Sequence, residues 1–504
     1  MSDILFTHSY FLRFDPKEYR AMMPYQPLGT LYAAAVAREA GYSVALFDSM
    51  LMESPEQIAE HLVRHTPRFL IIYDDDFNYL TKMCLTRMRE AAFRMARLGK
   101  KHGCTVIVHS SDATDHQEKY FEHGADYIMF GEAEQTLREL LDHLHGRGAA
   151  HAGEIAGVAV RDADGIIRRG PRRSVLRELD SLPMPARDLV DVAAYRSEWR
   201  RRHGYFSINV ATTRGCPYRC NWCAKPIYGR VYNSRSPRCV AEEFRALKEE
   251  YNPDHIWICD DIFGLKPGWV EEFSRHVAEL DAVIPFKCLS RADLILRGDT
   301  AAALSRAGCA TVWIGAESGA QKVLDAMEKG TTVSQIHRAT AKLRAYAIRV
   351  GFFLQFGYPG EGDREIDATL EMVRRALPEE IGISVSYPLP GTKFYERVIG
   401  EMGEKRNWSE SADLAMMFHG TYSTEFYRAL ARYVHQEHRR QQGLRAMRSF
   451  FTNLPVPPNA SRRVLLLPYH TVRAAFHSFM VRRLRRPVAP MRIMLPVVQP
   501  AGET

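Results

Sequence analysis

The stretch Arg214-Gly215-Cys216-Pro217-Tyr218-Arg219-Cys220-Asn221-Trp222-Cys223 decides the fold of this 504-residue chain. Its three cysteines have the spacing Cys-x3-Cys-x2-Cys and follow a strand-like apolar run near residues 207–212. Three thiolates so close together can bind three irons of a [4Fe–4S] cluster and leave the fourth iron without a protein ligand. A structural zinc ion needs a fourth ligand, and Cys239 is the candidate. A zinc-clasped, non-enzymatic binding module is therefore the alternative interpretation.

Downstream of this loop, residues 206–400 alternate between short apolar strands and helices. The predicted strands lie near 207–212, 255–259, 285–289, 311–315, 350–356 and 382–386. Strand–helix units that recur about every 30 residues predict a (β/α)6 barrel or part of one. The cysteine loop then follows the first barrel strand, at the end of the barrel where such folds place their active sites.

Upstream, residues 1–150 predict a doubly wound parallel sheet of the Rossmann-like, flavodoxin-like kind. Strands are expected at 4–8, 42–47, 69–73, 105–108 and 127–130, and helices at 29–40, 55–65, 78–100 and 133–145. Ligands of such sheets bind beyond the carboxyl ends of the strands, so we expect binding loops at 24–30, 74–76, 109–112 and 131–132. A linker with a hairpin is predicted over 151–205, and a helical, Arg-rich region over 401–504.

The charge of the chain is concentrated at its end. Residues 421–504 contain fourteen arginines, three glutamates and no lysine or aspartate, a net +11, whereas the whole chain carries +8. The first 420 residues are therefore slightly acidic. No apolar run reaches the roughly 18 residues that span a bilayer, and the first residues lack the pattern of a signal peptide. We expect a cytoplasmic protein, and the nine cysteines, an odd number, argue against a disulfide framework.

The cysteine motif, with an aromatic residue before its last cysteine, resembles the radical S-adenosylmethionine (SAM) superfamily. In that family SAM binds the open iron and is cleaved to a 5′-deoxyadenosyl radical by an electron from a donor such as flavodoxin or ferredoxin. The resemblance implies that Cys216, Cys220 and Cys223 hold the cluster.

Segments at the ends of later strands resemble the same family. Asp260-Asp261 follows the second barrel strand, Glu317-Ser318 ends the fourth, and Gly357-Tyr358-Pro359 follows the fifth. The resemblance places the acids near the SAM amino group, Glu317 and Ser318 at the ribose, and the Gly-Pro segment on adenine. The full set of SAM contacts it implies is Trp222, Asp260, Asp261, Arg291, Glu317, Ser318, Gly357 and Pro359. Solvated acids and a surface arginine are the alternatives for Asp260, Asp261 and Arg291.

The N-terminal region and the segment Tyr387-Pro388-Leu389-Pro390-Gly391-Thr392 resemble the cobalamin-dependent subgroup of that family. The cobalamin contacts implied are Gly29, Thr30, Ser110, Ser111, Asp112, Gly131 and Glu132. The chain has no Asp-x-His-x-x-Gly motif, so a histidine ligand to cobalt is not expected. The stretch 109–115 reads His-Ser-Ser-Asp-Ala-Thr-Asp where the subgroup usually has Gly-Gly-Pro-His. A Rossmann-like domain kept for packing or substrate contact is the alternative.

The resemblance implies cobalamin-assisted methylation of an unactivated carbon in a small molecule. Oxidative cyclisation or rearrangement, as in the anaerobic magnesium-protoporphyrin monomethyl ester cyclases, is equally compatible with the sequence. Radical methylthiotransferases that act on RNA carry a second three-cysteine cluster, but the N-terminal region offers only Cys84 and Cys104. A nucleic-acid partner is therefore not favoured.

The C-terminal region contains one amphipathic pattern, between His470 and Arg486. Five apolar residues fall near one helical face, whereas five arginines lie elsewhere on the helix. The apolar set is Val472, Phe476, Phe479, Met480 and Leu484, and the basic set is Arg473, Arg482, Arg483, Arg485 and Arg486. Such a helix can lie on an anionic membrane surface. The alternative is a helix docked on its own barrel.

Overall fold

The computed structural model describes residues 2–83, 85–147, 151–452 and 459–487. Its N-terminal sheet has seven strands: β1 (Ile4–Thr7), β2 (Val44–Phe47), β3 (Phe69–Tyr73), β4 (Thr105–His109), β5 (Tyr127–Met129), β6 (Val158–Arg161) and β7 (Ile167–Arg169). The strand order is β2-β1-β3-β4-β5-β6-β7, and the first five strands are parallel. The order 2-1-3-4-5 is that of flavodoxin-like folds, so the predicted fold class is confirmed. The hairpin expected within 151–205 is β6–β7, and it extends this sheet in antiparallel fashion.

Eight helices accompany this sheet in the described residues. They are α1 (Pro16–Ala21), α2 (Leu28–Glu39), α3 (Ile58–His65), α4 (Tyr79–Lys82), α5 (Thr86–Lys101), α6 (Ser111–Asp115), α7 (Gln117–Glu122) and α8 (Glu134–Leu144). The single helix predicted over 78–100 is wrong, because the structure divides it into α4 and α5. Backbone groups at the break bond to distant residues instead: the carbonyl of Met83 accepts from the Tyr387 hydroxyl, and the Thr86 N–H donates to the Trp408 carbonyl. Cys84, used above in the argument about a second cluster, lies outside the described residues.

The second sheet is a partial barrel, preceded by α9 (Val192–His203). Its strands are β8 (Ser207–Val210), β11 (His255–Ile258), β12 (Phe286–Ser290), β13 (Cys309–Glu317), β14 (Arg349–Phe356) and β15 (Glu380–Val385), and a small ribbon pairs β9 (Thr213–Arg214) with β10 (Asn233–Ser234). The six long strands are all parallel and in chain order, with β8 and β15 at the two edges. All six lie where the sequence predicted them.

Helices cover the outer face of this sheet and bury its apolar side chains. They are α10 (Pro237–Glu250), α11 (Trp269–Glu279), α12 (Ala292–Ile295), α13 (Thr300–Arg306), α14 (Gln321–Ala326), α15 (Val333–Ala345), α16 (Asp363–Ala376) and α17 (Lys393–Val398). Alternate residues of β13 show the pattern: Val312, Ile314 and Ala316 are completely buried, whereas Trp313 and Gly315 on the inner face are half-buried. Alternation of this kind gives the partial barrel a packed outside and an accessible inner wall.

The N-terminal domain is joined to the barrel at both barrel edges. At the β8 edge, the Asn209 side chain donates to the Gln26 carbonyl at 2.9 Å, and buried Arg187 bridges the same two residues. Beyond β15, residues 402–418, which we call the strap, return to the N-terminal domain. Ser411 of the strap donates to both carboxylate oxygens of Asp15, at 2.9 and 3.0 Å. The inner wall is thus enclosed from two sides.

The chain continues into α18 (Thr424–Ser449), α19 (Ala460–Leu465) and α20 (Leu467–Leu484). α20 packs along α18, and Met480 and Leu484 contact the main core. The apolar face predicted for this helix is therefore partly wrong, since two of its five members face inward. None of the helices within the described ranges is long and apolar enough to cross a membrane.

Candidate active site

The cysteine loop begins where β8 ends, and Asp260 holds its start in place. The Asp260 carboxylate accepts the backbone N–H of Thr212 at 2.7 Å and that of Thr213 at 3.1 Å, as well as the Thr212 hydroxyl. Burial raises the pKa of Asp260 to about 6. Because its oxygens are engaged by the loop, Asp260 positions the cysteines, and the structure does not direct it to a ligand.

Gly215, directly before the first cysteine, is required by the backbone. It has φ +79°, and a Cβ atom there would lie 2.5 Å from the Val231 carbonyl oxygen. Any larger residue would push the loop away from the neighbouring segment. The glycine therefore sets the direction in which Cys216 leaves the β9–β10 ribbon.

The three cysteines are free thiols in a cationic surrounding. Cys220 is buried, and Cys216 and Cys223 are half-buried. Burial raises the pKa of Cys223 to about 12, and the Lys225 ammonium opposes this rise. Lys82 also acts electrostatically on Cys223, and Lys329 on Cys220. Nearby cations favour the thiolate form that binds iron, so the donor set fits an iron–sulfur cluster.

The zinc interpretation receives no support from the geometry. Over the described residues, no three His, Cys, Asp or Glu side chains converge closely enough to hold one metal ion. Cys239 lies at the start of α10 and accepts a hydrogen bond from Arg235 at 3.4 Å. It belongs to a separate polar network with Glu243, the buried partner of Arg235.

Two of the residues predicted to bind SAM, Arg291 and Asp261, have polar partners within the protein. The Arg291 guanidinium donates to the carbonyls of Lys329 and Gly330, at 2.8 and 3.3 Å, and stacks 3.7 Å above the Tyr218 ring. Asp261 forms a 2.8 Å ion pair with Lys82 of the N-terminal domain. Sequence reasoning missed Lys82, because nothing local to α4 marks it as a partner of a barrel residue.

Glu317 and Ser318 lie at the carboxyl end of β13, as predicted. Glu317 has the left-handed φ of +56°, next to a register shift in the β13–β14 pairing, and its carboxylate pairs with Lys329 at 2.9 Å. Ser318 is fully buried and lies 3.1 Å from the Thr369 hydroxyl. A left-handed non-glycine residue is strained and is typical of functional sites.

The remaining predicted SAM residues lie close to the loop. The Trp222 indole N–H is buried and lacks a hydrogen-bond partner among the described residues. Gly357, with φ +78°, is covered by Met416 of the strap, whose sulfur would lie 3.0 Å from an added Cβ. Pro359, two residues on, is exposed. The orphaned indole N–H is a donor without an acceptor, which fits a ligand beside the last cysteine.

The inner wall of the barrel is an aromatic surface whose rings pack directly against glycines of the neighbouring strands. A Cβ added to Gly351 would lie 2.5 Å from the Trp313 ring, and one on Gly382 would lie 3.2 Å from Phe353 and 3.3 Å from Trp313. The Trp313 and Phe353 ring centroids lie 4.6 Å apart with the ring planes tilted by 31°, and Phe353 remains 39% exposed. The wall can therefore contact a flat or apolar molecule.

Lys287 lies on the same face, one strand from Trp313. It has no hydrogen bond or carboxylate partner among the described side chains; its ammonium lies 5.0 Å from the Trp257 ring and 5.3 Å from the Tyr25 ring. Burial lowers its pKa. A half-buried ammonium without a counter-ion is a site for an anionic group of a ligand.

The interface between the two domains centres on Arg214, immediately before the cysteine loop. Its guanidinium forms ion pairs with Glu132 and, at 2.6 Å, with Glu134 of the N-terminal domain. All three side chains are nearly fully buried. Burial pushes the pKa of Glu134 up, but the arginine outweighs it and leaves that pKa below its usual value. The cysteine loop is thus fixed to the carboxyl edge of the N-terminal sheet.

The residues predicted to contact cobalamin lie at this edge, but their polar atoms are largely engaged. Asp112 accepts two hydrogen bonds from Arg89, at 2.5 and 2.6 Å, and one from Tyr120. Ser110 caps α6. The other five members of the set are buried as well: Gly29, Thr30, Ser111, Gly131 and Glu132.

The free polar atoms of the interface belong to residues that sequence reasoning missed. The hydroxyls of Tyr73 and Tyr228 and one carboxylate oxygen of Glu134 are buried without a partner in the described structure. They act on one another and on Arg214 electrostatically, which places them together. Three orphaned polar atoms between the domains fit a polar ligand held there. Their signals in the sequence are weak: Tyr73 ends β3, Glu134 begins α8 just after the predicted loop at 131–132, and Tyr228 follows the cysteine motif.

Residues 210–373 match the family model of the Radical SAM superfamily, so this chain carries a radical SAM domain. An uncharacterized methyltransferase of Pyrococcus horikoshii is 26% identical over 379 residues, which cover 74% of this chain and 78% of the relative.

Two solved structures share the fold. The cobalamin-dependent SAM radical enzyme OxsB, with aqua-cobalamin and SAM bound, superposes with a TM-score of 0.70 at 17% identity, over 96% of this chain and 72% of OxsB. The radical SAM methyltransferase TsrM of Kitasatospora setae, with cobalamin and a [4Fe–4S] cluster bound, gives 0.63 at 18% identity, over 79% of this chain and 78% of TsrM. This chain therefore shares the two-domain fold of OxsB and TsrM.

Proposed function

We propose that this chain is a radical SAM enzyme that methylates an unactivated carbon of a small molecule with the help of cobalamin. The observation that carries the proposal is the cysteine loop itself. It follows the first strand of a partial barrel, lies among three lysines, and is tied by Arg214 to the edge of a flavodoxin-like sheet. The methyltransferase relative and the two structural neighbours support the same conclusion.

When bound, the cluster supplies the electron that cleaves SAM to the 5′-deoxyadenosyl radical, and cobalamin supplies the methyl group. Cys216, Cys220 and Cys223 hold the cluster, and Lys225 and Lys329 offset its negative charge. Asp260 and Arg291 keep the loop in position through the contacts described above. Six of the eight residues that the sequence indicated for SAM border it directly, and Asp260 and Arg291 act through the loop. The six are Trp222, Asp261, Glu317, Ser318, Gly357 and Pro359. Of these, Trp222 has the free donor.

Cobalamin binds between the domains. Tyr73, Tyr228 and Glu134 offer the unpartnered polar atoms there, next to the predicted contact residues Gly131 and Glu132. A Cβ added to Gly131 would meet nothing within 4 Å, so its backbone borders open space. These residues fix the orientation of a bound group, and the buried ion pairs around them exclude water.

The substrate binds against Trp313 and Phe353 on the inner wall. Their flat, partly exposed surface favours an apolar or planar molecule, and Lys287 favours one that also carries an anionic group. We also propose that an external donor such as flavodoxin or ferredoxin supplies the electron and that the enzyme is located in the cytoplasm.

The test is anaerobic reconstitution of the wild type beside the Cys220→Ala and Cys239→Ala variants. The wild type and the Cys239 variant should be brown and contain about four irons per chain. With SAM, reductant and hydroxocobalamin, which the reductant converts to the cob(I)alamin that accepts the SAM methyl group, they should form 5′-deoxyadenosine and S-adenosylhomocysteine. The Cys220 variant should lose both. A colourless wild type would overturn the proposal. 5′-Deoxyadenosine without S-adenosylhomocysteine would replace methylation by cyclisation or rearrangement.

A further inference from the structure

The helix α20 exposes a continuous apolar stripe to solvent. Tyr469, Val472, Phe476 and Phe479 are 54%, 69%, 52% and 61% exposed. Their spacing of three and four residues keeps them within an arc of about 80° on the helix surface. Leu465, at the end of α19, continues the stripe and is 79% exposed. Exposed apolar patches of this kind mark interaction sites.

The opposite face of α20 already has its partner. His470, Ala474, His477 and Val481 are buried against α18. Gly443 of α18 allows this approach, because an added Cβ would lie 3.1 Å from the side chain of Leu467, the first residue of α20. The stripe therefore faces solvent, because the opposite face of the helix is the one that packs on α18. No other part of the described chain covers the stripe.

The charges around the stripe have one sign. Residues 460–487 contain seven arginines and no lysine, aspartate or glutamate. At 100° per residue, Arg473 and Arg482 lie on the two flanks of the stripe, and Arg483 lies in line with it. Only Arg485 is paired among these, with Asp363 and Asp367 of α16. Arginine binds phosphate oxygens in bidentate fashion, so the flanks favour phosphate groups.

We propose that this face docks on the surface of an anionic phospholipid bilayer, with the stripe in the headgroup region and the arginines on lipid phosphates. An apolar stripe bordered by cationic residues is the arrangement of interfacial helices. Two copies of this face would repel each other, since neither contains an acidic residue. A nucleic acid would satisfy the arginines but would leave the four apolar side chains in water.

The full-length protein is tested by co-sedimentation with vesicles of phosphatidylcholine and phosphatidylglycerol (3:1) and of phosphatidylcholine alone. We expect binding to the anionic vesicles that weakens as salt increases. Phe476→Ser with Phe479→Ser, and Arg482→Gln with Arg483→Gln, should each lower the partition coefficient about tenfold or more. The matched control, Val63→Ser with Ile166→Ser, removes two apolar residues that are 64% and 57% exposed elsewhere and should change nothing.

Three results would overturn the proposal. The first is equal sedimentation of the wild type and the Phe pair variant with anionic vesicles. The second is a dimer, seen by light scattering, that the Phe pair variant loses. The third is binding of a short single-stranded RNA, measured by fluorescence anisotropy, that is tighter than vesicle binding and depends on the same two phenylalanines. All the changed residues are exposed, so circular dichroism should report unchanged folding in every variant.

Discussion

Replacing Arg214 by leucine tests how strongly the two domains are coupled. The change removes the guanidinium from between Glu132 and Glu134, whose side chains are 6% and 5% exposed. Removing one partner of a buried ion pair costs about 3–5 kcal/mol, because the other charge stays buried without compensation. The stacking of the guanidinium near the Tyr32 and Tyr228 rings is lost as well. We expect the free energy of unfolding to fall by about 4 kcal/mol at pH 7.

The pH dependence identifies the cause of this loss. Without Arg214, burial raises the folded-state pKa of both glutamates above the unfolded value of about 4.3. Between those pKa values the folded state binds more protons than the unfolded state, so stability falls as the pH rises. The difference from the wild type should therefore grow from pH 5.5 to pH 7, by up to about 1.4 kcal/mol per pH unit for each glutamate.

Urea unfolding of the cluster-free protein, followed by tryptophan fluorescence, measures both effects. Adding Glu132→Gln and Glu134→Gln to the leucine variant should recover most of the lost stability and remove the extra pH dependence. The control Arg238→Leu breaks an exposed pair with Glu242 and should cost no more than about 0.5 kcal/mol. A loss below 1 kcal/mol, or one that does not change with pH, would refute the reasoning.

Three further changes probe other parts of the molecule. Gly351→Ala should lower the free energy of unfolding by about 1–3 kcal/mol, because the new methyl group forces the Trp313 ring aside. Adding Trp313→Leu to this variant should restore the urea midpoint, and a midpoint that stays low would contradict the contact between residues 313 and 351 as the cause. Burial raises the pKa of Glu361 to about 8, so the stability this group contributes is full below the unfolded-state pKa of about 4.3 and is lost progressively until the pH has risen through 8. Glu361→Gln should thus match the wild type at about pH 4 and be clearly the more stable of the two at about pH 8, whereas equal midpoints at both pH values would argue against a buried acid. Asp15→Ala removes both acceptors of Ser411 and should increase hydrogen exchange over residues 402–418 at least tenfold, with α16 as the unaffected internal reference.

The sequence contained most of the architecture because its signals were local. Short apolar runs separated by helical segments located all six barrel strands, and the Cys216–Cys223 spacing located the metal-binding loop. The break between α4 and α5 could not be predicted, since it depends on Tyr387 and Trp408, about 300 residues away.

The candidate site was predicted as a set of positions more successfully than as a set of roles. Asp260 and Arg291 lie at the predicted strand ends, but their hydrogen bonds go to the cysteine loop and to the 329–330 backbone. Lys82 and Tyr73 belong to the N-terminal domain and are distant from the cysteine motif in the sequence. Tyr73 and Tyr228 matter because their hydroxyls are buried without a partner in the described structure, and no periodicity or motif in a sequence indicates that a single hydroxyl is buried. Side-chain partners are a property of the tertiary structure, and spacing along the chain does not encode them.

The packing of Trp313 against Gly351 and Gly382 also restricts how this barrel can evolve. A side chain at position 351 collides with the present ring, and one at position 382 would press on it at 3.3 Å, so position 351 cannot grow before residue 313 becomes smaller. Mutations at these three sites are therefore epistatic, and those at 313 and 351 must occur in one order. A lineage that adopts a bulkier substrate would be expected to lose the indole first and to fill position 351 only afterwards.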